Sequence, residues 1–206
     1  MEDSSPKLIL ITGPKHSGKT TAGVFLAELL GAKFVDLDEL VEGQTGKSPR
    51  SLFKEGPEIF RQAEARALAG IVSAALPGTA GHGQDGGAVW VVAAGGGLVD
   101  NAGALELLRG PEFSGNNTAI VYLEASADTA WERIRGAAQE TGEWPAFLNV
   151  ENPRETNAAL HARRGAAYRE LATLTVNGEG KSPEAIGREI ALRLVPADSP
   201  KGTVRG

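Results

Sequence analysis

The residues most able to do chemistry lie in a short loop, GPKHSGKT at positions 13–20. The full pattern GxxxxGK[ST] is typical of loops whose backbone N–H groups surround a phosphate. Gly13 and Gly18 permit the tight backbone path, and Lys19 carries the positive charge that reaches the β- and γ-phosphates. Thr20 adds a hydroxyl that can ligate Mg²⁺. The loop therefore predicts binding of a nucleoside triphosphate together with Mg²⁺.

The whole loop is predicted to contact the nucleotide. Its contact residues are Gly13, Pro14, Lys15, His16, Ser17, Gly18, Lys19, Thr20 and Thr21. We assign no chemistry to the His16 imidazole, and His82 and His161 are too far apart in sequence to have metal-ligand spacing. A phosphate loop alone leaves the group that receives the phosphate undefined.

Two aspartates, Asp36 and Asp38, follow the second predicted strand at a spacing of two. If the strand continues, both carboxylates point to the same face. One can then hold water on Mg²⁺ near the γ-phosphate, while the other accepts a hydrogen bond from a substrate hydroxyl and removes its proton. The alternative is a solvated pair in a loop or at a helix start, where Asp38 would cap the helix.

Two further segments carry arginines whose role the residues alone do not reveal. Arg61 and Glu64 lie three residues apart in a predicted helix and so share a face, and Arg164 follows Arg163 in another helical segment. Each arginine is equally compatible with a surface ion pair or a solvated helix position. The residues by themselves do not choose between these interpretations.

The elements that must position these groups alternate between strand and helix. Short apolar runs predict strands at 7–12, 33–35, 89–93, 119–123 and 174–176, and longer patterns predict helices at 20–30, 58–76, from about 126, and 183–194. Parallel strands joined by helical crossovers form a three-layer α/β/α sandwich with sites at the carboxyl ends of the strands. We therefore predict a five-stranded parallel sheet with the informative residues at that edge.

Length and composition restrict the classes of protein. The chain has 206 residues, a formal charge of −5 and no cysteine, which excludes disulfides and thiolate chemistry and argues against nucleic-acid partners. No signal peptide and no apolar run of about 18 residues is present, so we expect a soluble cytoplasmic monomer that binds small molecules and not membranes. We expect one domain over 1–195, with an irregular and mobile lid at about 140–156, a glycine-rich surface insertion at 77–87 and a frayed tail at 196–206.

Together, these motifs and several shorter ones give the chain a resemblance to the shikimate kinase family along nearly its whole length. The matching stretches are the loop at 13–20, Asp36-Leu37-Asp38, Thr45-Gly46-Lys47-Ser48, Phe60-Arg61-Gln62-Ala63-Glu64, Gly95-Gly96-Gly97, Val121-Tyr122-Leu123, Arg133, and Arg164 with Tyr168 and Ala172. Each motif is short, but their order and spacing are specific. The resemblance implies a P-loop NTPase fold like that of the nucleoside-monophosphate kinases.

The resemblance also implies an activity, with ATP and Mg²⁺ as cofactors. Phosphoryl transfer from MgATP to shikimate would give ADP and shikimate 3-phosphate, as part of aromatic amino-acid biosynthesis. Lys19 and Asp38 are the implied catalytic residues, Asp38 being the base that holds the acceptor hydroxyl. Asp36 would organise Mg²⁺ through water, together with Thr20.

The implied substrate contacts come from the arginines and the glycine triplet. Arg61 and Arg164 would clamp the shikimate carboxylate, which suits the planar fork of a guanidinium, with Glu64 orienting Arg61. Gly95, Gly96 and Gly97 would contact the ring of the substrate, where the lack of a Cβ permits close approach. Arg133 would lie against adenine.

One position departs from the family pattern. The family's lid carries an Arg-Pro whose arginine reaches the transferring phosphate, whereas this chain has Trp144-Pro145. Loss of such a cation can cost on the order of 10³-fold in rate. Lys15 or Arg154 could supply the missing charge, and we state this as a hypothesis.

Three other functions compete with shikimate phosphorylation. A kinase for another small hydroxylated acid, such as gluconate, would keep the carboxylate-binding arginines and change the ring contacts. A kinase-like binding protein that transfers phosphate poorly would explain Trp144. A nucleoside-monophosphate kinase fits less well, because the Asp-x-Asp motif and the glycine triplet suit a polyol acid better than a base.

Overall fold

The computed structural model describes residues 5–76 and 88–195. The predicted insertion at 77–87, His82 within it, and the predicted tail at 196–206 lie outside the described residues. No helix in the described ranges is long and apolar enough to cross a bilayer.

One five-stranded sheet lies at the centre of the fold. Its strands are β1 Leu8–Thr12, β2 Lys33–Asp36, β3 Trp90–Ala93, β4 Thr118–Glu124 and β5 Leu174–Asn177. The strands are all parallel and lie in the order β2-β3-β1-β4-β5. The predicted five-stranded parallel sheet is confirmed, and each predicted strand lies within two residues of its observed bounds.

Helices connect and cover the strands. In the described part of the chain they are α1 Lys19–Leu30, α2 Leu37–Thr45, α3 Pro49–Glu55, α4 Pro57–Ala75, α5 Ala102–Leu108, α6 Ala127–Thr141, α7 Pro153–Leu171 and α8 Pro183–Leu194. Short 3₁₀ turns occupy Leu98–Asp100, Pro111–Phe113 and Ala146–Leu148. The sequence predictions located α1, α4, α6 and α8 but delimited none of the other helices.

The sheet separates two apolar cores. Side chains alternate across β1, so Leu8 and Leu10 face a core formed with α2, α4 and α5, while Ile9 and Ile11 face a core formed with α1 and α8. All four side chains are fully buried. Helices therefore cover both faces of the sheet, which is the predicted three-layer α/β/α sandwich.

The strand order reverses at β1, whose two neighbours are β3 and β4. In open parallel sheets a crevice forms at such a switch point, beyond the carboxyl ends of the strands. The phosphate loop follows β1 and the glycine triplet follows β3, so both loops open into this crevice.

Candidate active site

The phosphate loop, which joins β1 to α1, packs tightly against the backbone of β4. Gly13 has a φ of 146°, and a Cβ at this position would lie 2.4 Å from the carbonyl oxygen of Leu123. Only glycine meets both conditions, because a φ in this range strains any residue with a side chain. His16 also has a positive φ, of 58°, which is uncommon for a non-glycine residue. The loop backbone is thus bent into the path that the motif predicts.

Lys19 is held inside this loop. Its Nζ donates a 2.7 Å hydrogen bond to the carbonyl oxygen of Pro14, and the residue is buried. Burial lowers the pKa of the Lys19 ammonium to about 8, although Asp38 and Asp36 act in the opposite direction. A buried ammonium with a neutral acceptor is well prepared for an anionic ligand, because a phosphate would supply the countercharge that the loop lacks.

Thr20 and Asp36 form a pair suited to Mg²⁺. The Thr20 hydroxyl donates to Asp36 Oδ2 at 2.8 Å, which brings one hydroxyl and one carboxylate oxygen together beside the loop. No cluster of three or more His, Cys, Asp or Glu side chains that could hold a metal is found in the described ranges. This small donor set fits Mg²⁺, which usually keeps several waters and shares its remaining ligands with substrate phosphates.

The two aspartates occupy different positions from those predicted. The strand does not continue beyond Asp36, because α2 begins at Leu37 and Asp36 caps it. Its Oδ1 accepts hydrogen bonds from the backbone N–H groups of Asp38 at 3.0 Å and Glu39 at 3.4 Å. The residue that caps the helix is therefore Asp36 and not Asp38. The strand does not continue through Asp38, so the prediction that both carboxylates point to one face of a continued strand is wrong.

Asp38 lies in the first turn of α2 and faces the crevice. Burial raises the pKa of its carboxyl, the nearby Asp36 charge raises it further, and Lys15 and Lys19 oppose both effects. A Cβ on Gly95 would lie 3.1 Å from Asp38 Oδ1, so the glycine triplet packs directly against this carboxylate. A carboxylate with a raised pKa beside a phosphate loop is suited to accept a proton from a substrate hydroxyl.

A cavity of about 440 Å³ joins the phosphate loop to the acceptor side. Its lining includes Lys15, Asp38, the glycine triplet, Trp144 and Arg164. The cavity lies between the loops that follow β1 and β3, the helices α2, α3 and α4, and residues of α6 and α7. Seven of the predicted site residues therefore meet in one space: Lys15, His16, Asp38, Gly95, Gly96, Gly97 and Arg164.

Arg164 reaches the cavity while paired with a residue that the sequence did not single out. Its Nε and one terminal nitrogen donate to Asp100 Oδ2 at 2.9 and 2.6 Å, and Arg163 donates to Asp100 Oδ1 at 2.7 Å. Burial alone would raise the pKa of the Asp100 carboxyl, but the hydrogen bonds from both arginines outweigh it and lower the pKa. The side chain of Arg164 is only 18% exposed, so its guanidinium is fixed at the wall.

Arg61 lies elsewhere than predicted. Its guanidinium pairs with Glu58, one turn earlier on α4, and Arg61 is not among the residues that line the cavity. Glu64 does not bond to it: Glu64 Oε2 accepts a 2.9 Å hydrogen bond from Asn101 Nδ2. Arg61 acts on Glu64 through its charge, which opposes the rise that burial causes in the pKa of the Glu64 carboxyl, and the predicted orientation of Arg61 by Glu64 stays a prediction.

Glu64 lines the cavity and has one buried carboxylate oxygen without a hydrogen-bond partner. The residue is 1% exposed, its Oε1 has no hydrogen-bond partner, and that oxygen lies 3.3 Å from a Cβ built on Gly95. Burial raises the pKa of this carboxyl to about 7; the Asn101 hydrogen bond lowers it, and Asp38 raises it further. Glu64 can therefore act near neutral pH either as a hydrogen-bond donor or as an acceptor for a bound hydroxyl.

The glycine triplet packs against the phosphate loop. A Cβ on Gly96 would lie 3.0 Å from the backbone nitrogen of Lys15 and 3.3 Å from the carbonyl oxygen of Gly13. The Tyr168 hydroxyl donates to the carbonyl oxygen of Gly96 from the opposite side. Gly97 is less crowded, with only Arg164 at 3.6 Å. The need for glycine at Gly96 therefore comes from loop-to-loop contact, which adds to the predicted approach to a substrate.

Arg133 joins α6 to the phosphate loop. Its guanidinium donates to the carbonyl oxygen of His16 at 3.0 Å, at the loop's exposed side. Burial lowers the pKa of the His16 imidazole, and the charges of Lys15, Lys19 and Arg133 lower it further. The imidazole therefore favours its neutral form beside three cations.

The segment predicted as a lid is shorter than expected. Helix α6 extends to Thr141 and α7 begins at Pro153, so the part between helices is 142–152. Trp144 lines the cavity and stacks on Trp131 with ring centroids 5.4 Å apart. Arg154 pairs with Asp128 at 3.2 Å on the surface and is not among the cavity-lining residues, whereas Lys15 is.

Three site residues were missed as such by the sequence analysis: Asp100, Asn101 and Tyr168. Asp100 and Asn101 come three and four residues after Gly97, and Asn101 has a signal of its own because it caps α5 by accepting from the Ala104 N–H. Tyr168 was matched only as part of a motif, without a role.

The fold and the site define a class. A phosphate loop, a hydroxyl-carboxylate pair beside it and a second wall that carries Arg164 and Asp38 are the features expected of a P-loop small-molecule kinase. The Shikimate kinase family model matches residues 15–195. The chain belongs to the shikimate kinase family.

Relatives and solved structures agree with this assignment. The chain is 34% identical over 193 residues to a shikimate kinase of Chlorobium chlorochromatii, with 92% of this chain and 91% of the relative covered. It is 34% identical over 196 residues to one of Mycobacterium avium, covering 95% and 97%. The structure of shikimate kinase from Acinetobacter baumannii in complex with shikimate superposes with a TM-score of 0.72 at 28% identity, covering 91% and 92%. A gluconokinase from Sinorhizobium meliloti shares the fold, with a TM-score of 0.53 at 21% identity and 89% of each chain covered.

Proposed function

We propose that the chain transfers the γ-phosphoryl group of MgATP to the 3-hydroxyl of shikimate. One observation carries the proposal: a single cavity is lined by the phosphate loop, by Asp38 and by Arg164. A nucleotide, a base and a carboxylate-binding cation are the three requirements for phosphorylating a hydroxy acid. The bond from the γ-phosphorus to the ADP oxygen breaks, a bond to the ring oxygen forms, and the hydroxyl proton goes to Asp38.

Each residue of the phosphate loop has a role in this reaction. Lys19 exchanges its bond to the Pro14 carbonyl for a phosphate oxygen, and the loop N–H groups bind the β-phosphate. Thr20 would ligate Mg²⁺ and Asp36 would hold it through water, and the ion would supply charge that neutralises the phosphates. The contact from Arg133 to the loop at His16 supports a place for its guanidinium beside the adenine.

The acceptor side binds the acid. Arg164 binds the shikimate carboxylate with donors that Asp100 leaves available, and the glycine triplet forms the floor below the ring. Glu64 takes a ring hydroxyl through its unpartnered oxygen. The Arg61 guanidinium leaves Glu58 and binds the shikimate carboxylate as well. This exchange costs little, because a surface ion pair of this kind is worth about 1 kcal/mol or less.

We also propose a single kinase domain over 1–195 that acts as a cytoplasmic monomer, with the segment at 140–156 closing over the substrates. Use of ATP supports the location. The assembly of the whole cavity from one chain supports the monomer. Closure is required because an open site would transfer phosphate to water.

The test is to follow ADP release from MgATP with shikimate, with gluconate and with neither. We expect shikimate-dependent release that Asp38→Asn reduces by about 10³-fold or more, since the amide cannot accept the proton. ADP release that depends on gluconate and not on shikimate would identify gluconate as the acceptor. Binding of ATP and shikimate without any turnover would indicate a binding protein. The replacement of the lid arginine by Trp144 would then explain the lack of phosphoryl transfer.

A further inference from the structure

Arg50 is a cavity-lining cation without a known role. It lies in the first turn of α3, beside Pro49, and lines the same cavity as Lys15 and Asp38. Its guanidinium forms an ion pair across the cavity with Glu143, which follows the end of α6. The pair is partly exposed, at 38% for Arg50 and 63% for Glu143, so the contact is weak and exchangeable.

The guanidinium of Arg50 is poorly satisfied in this position. Its Nε is shielded from solvent and has no hydrogen-bond partner, although a guanidinium offers five donors. An unpaired buried donor is costly unless another group completes it. Because Arg50 lines the cavity and its side chain is 38% exposed, a ligand with several acceptor oxygens would engage its terminal nitrogens better than the single contact with Glu143 does.

The rest of the cavity lining offers few unpaired cations that could stabilise the phosphoryl group during its transfer. The segment at 142–152 contains no lysine or arginine. Arg164 is already bound to Asp100 through two donors, and Arg154 lies outside the cavity on Asp128. Among the lining side chains of the described residues, Lys15 and Arg50 are the cations that do not carry such a bond to a buried carboxylate.

We propose that Arg50 binds the transferring phosphoryl group and supplies the charge that Trp144 cannot. Glu143 holds the guanidinium over the cavity until the triphosphate displaces it. The phosphoryl group favours this exchange because it carries more charge than a carboxylate and accepts two parallel hydrogen bonds. The proposal rests on the proposed kinase function, and it names a catalytic residue in that site.

The main test compares Arg50→Ala with Lys47→Ala. Lys47 lies three residues earlier, forms a 2.8 Å ion pair with Glu55 and does not line the cavity, so it controls for loss of a surface charge. We expect Arg50→Ala to lower kcat with shikimate by on the order of 10²- to 10³-fold, and Lys47→Ala by less than threefold. Added guanidinium chloride should restore part of the activity of Arg50→Ala only.

Binding measurements separate failure of this proposal from failure of the proposed function. Calorimetry with MgADP and with the magnesium complex of the β,γ-imido analogue of ATP needs no acceptor. We expect Arg50→Ala to weaken the analogue at least fivefold and MgADP less than twofold. An inactive wild-type protein that still shows this difference would refute shikimate phosphorylation but keep the Arg50 contact.

Several results would overturn the proposal. Equal effects of Arg50→Ala and Lys47→Ala would remove Arg50 from the site. A raised KM for shikimate at unchanged kcat would assign Arg50 to the substrate carboxylate. Equal losses in Arg50→Ala and Glu143→Gln would make the ion pair itself the functional element, whereas we expect Glu143→Gln to bind the analogue up to about fivefold more tightly.

Discussion

The two halves of the cavity are built by different means. On the nucleotide side, Lys19, Thr20 and Asp36 are held by bonds to the backbone or to one another. On the acceptor side, both arginines are paired with carboxylates: Arg164 with Asp100 and Arg61 with Glu58. The nucleotide side is therefore preorganised, while the acceptor side is neutralised by internal acids.

This difference has a consequence for binding. A phosphate entering the loop replaces a neutral carbonyl at Lys19, so it meets little competition. An acid entering the other side competes with carboxylates for the same guanidinium donors. The strength of these internal ion pairs therefore contributes to selection of the acceptor. The Arg164–Asp100 pair is the less exposed of the two and the Arg61–Glu58 pair the more exposed.

The largest effect is expected at Gly13, on the preorganised side. Gly13→Ala places a Cβ 2.4 Å from the Leu123 carbonyl oxygen and strains a φ of 146°. We expect a loss of about 3 kcal/mol or more in the free energy of unfolding, and loss of MgADP binding, measured by urea denaturation and calorimetry. Gly70→Ala is the matched control, since this glycine is within α4 with no neighbouring atoms inside 4 Å, and it should stabilise by about 0.5–1 kcal/mol. A folded Gly13→Ala protein with normal nucleotide affinity would show that the nucleotide side does not depend on a preorganised loop.

A smaller effect is expected at Arg164, on the neutralised side. Arg164→Lys keeps the charge but loses the two-donor geometry, so the KM for shikimate should rise about 10- to 100-fold while the KM for MgATP stays within about twofold. Arg163→Lys is the control, because this residue bonds to the same Asp100 from an exposed position. Steady-state kinetics with each substrate varied checks both. Equal rises in the two KM values would show that the halves are not separable.

The smallest effect concerns Glu64 and the pH dependence of stability. Its pKa in the folded protein is about 7, against an ordinary value of 4.5, so the folded state binds this proton more tightly than the unfolded state. Wild-type stability is therefore favoured below about pH 4.5 and is lost as pH rises to about 7, and Glu64→Gln removes this loss. We expect the stability of Glu64→Gln relative to wild type to increase by about 1–3 kcal/mol between pH 4.5 and pH 8.

Urea denaturation at both pH values measures this change. Glu28→Gln, at an exposed position of α1, controls for the general effect of removing one carboxylate. Parallel pH profiles for wild type and Glu64→Gln would contradict the raised pKa. They would also remove the argument that Glu64 changes its hydrogen-bonding state near neutral pH.

The sequence was sufficient for the parts of the fold that depend on local pattern. The strands followed from short apolar runs, and the phosphate loop followed from a motif whose glycines have a local conformational cause, as at Gly13. Helix α2 was missed because its start depends on the Asp36 side chain folding back to cap it, which a strand pattern does not reveal. A carboxylate two residues from another was equally compatible with a continuing strand.

The acceptor side was harder to predict because its contacts join distant segments. Arg61 was expected beside Glu64 on the same helix face, yet Asn101 takes the Glu64 oxygen from 37 residues away. Asp100 acquires its role only when α7 brings Arg163 and Arg164 to it. Contacts of this kind depend on packing between elements, so helical spacing alone could not identify the partners.

Identification of the product is the sharpest test of phosphoryl transfer from ATP to shikimate. The protein is incubated with MgATP and shikimate, and the reaction is followed by phosphorus NMR and mass spectrometry until ATP is consumed. We expect equal amounts of ADP and of shikimate phosphorylated on its 3-hydroxyl, with little free phosphate. Conversion of ATP to ADP and free phosphate with shikimate unchanged would contradict it, because Asp38 and the cavity would then activate water and not the acid.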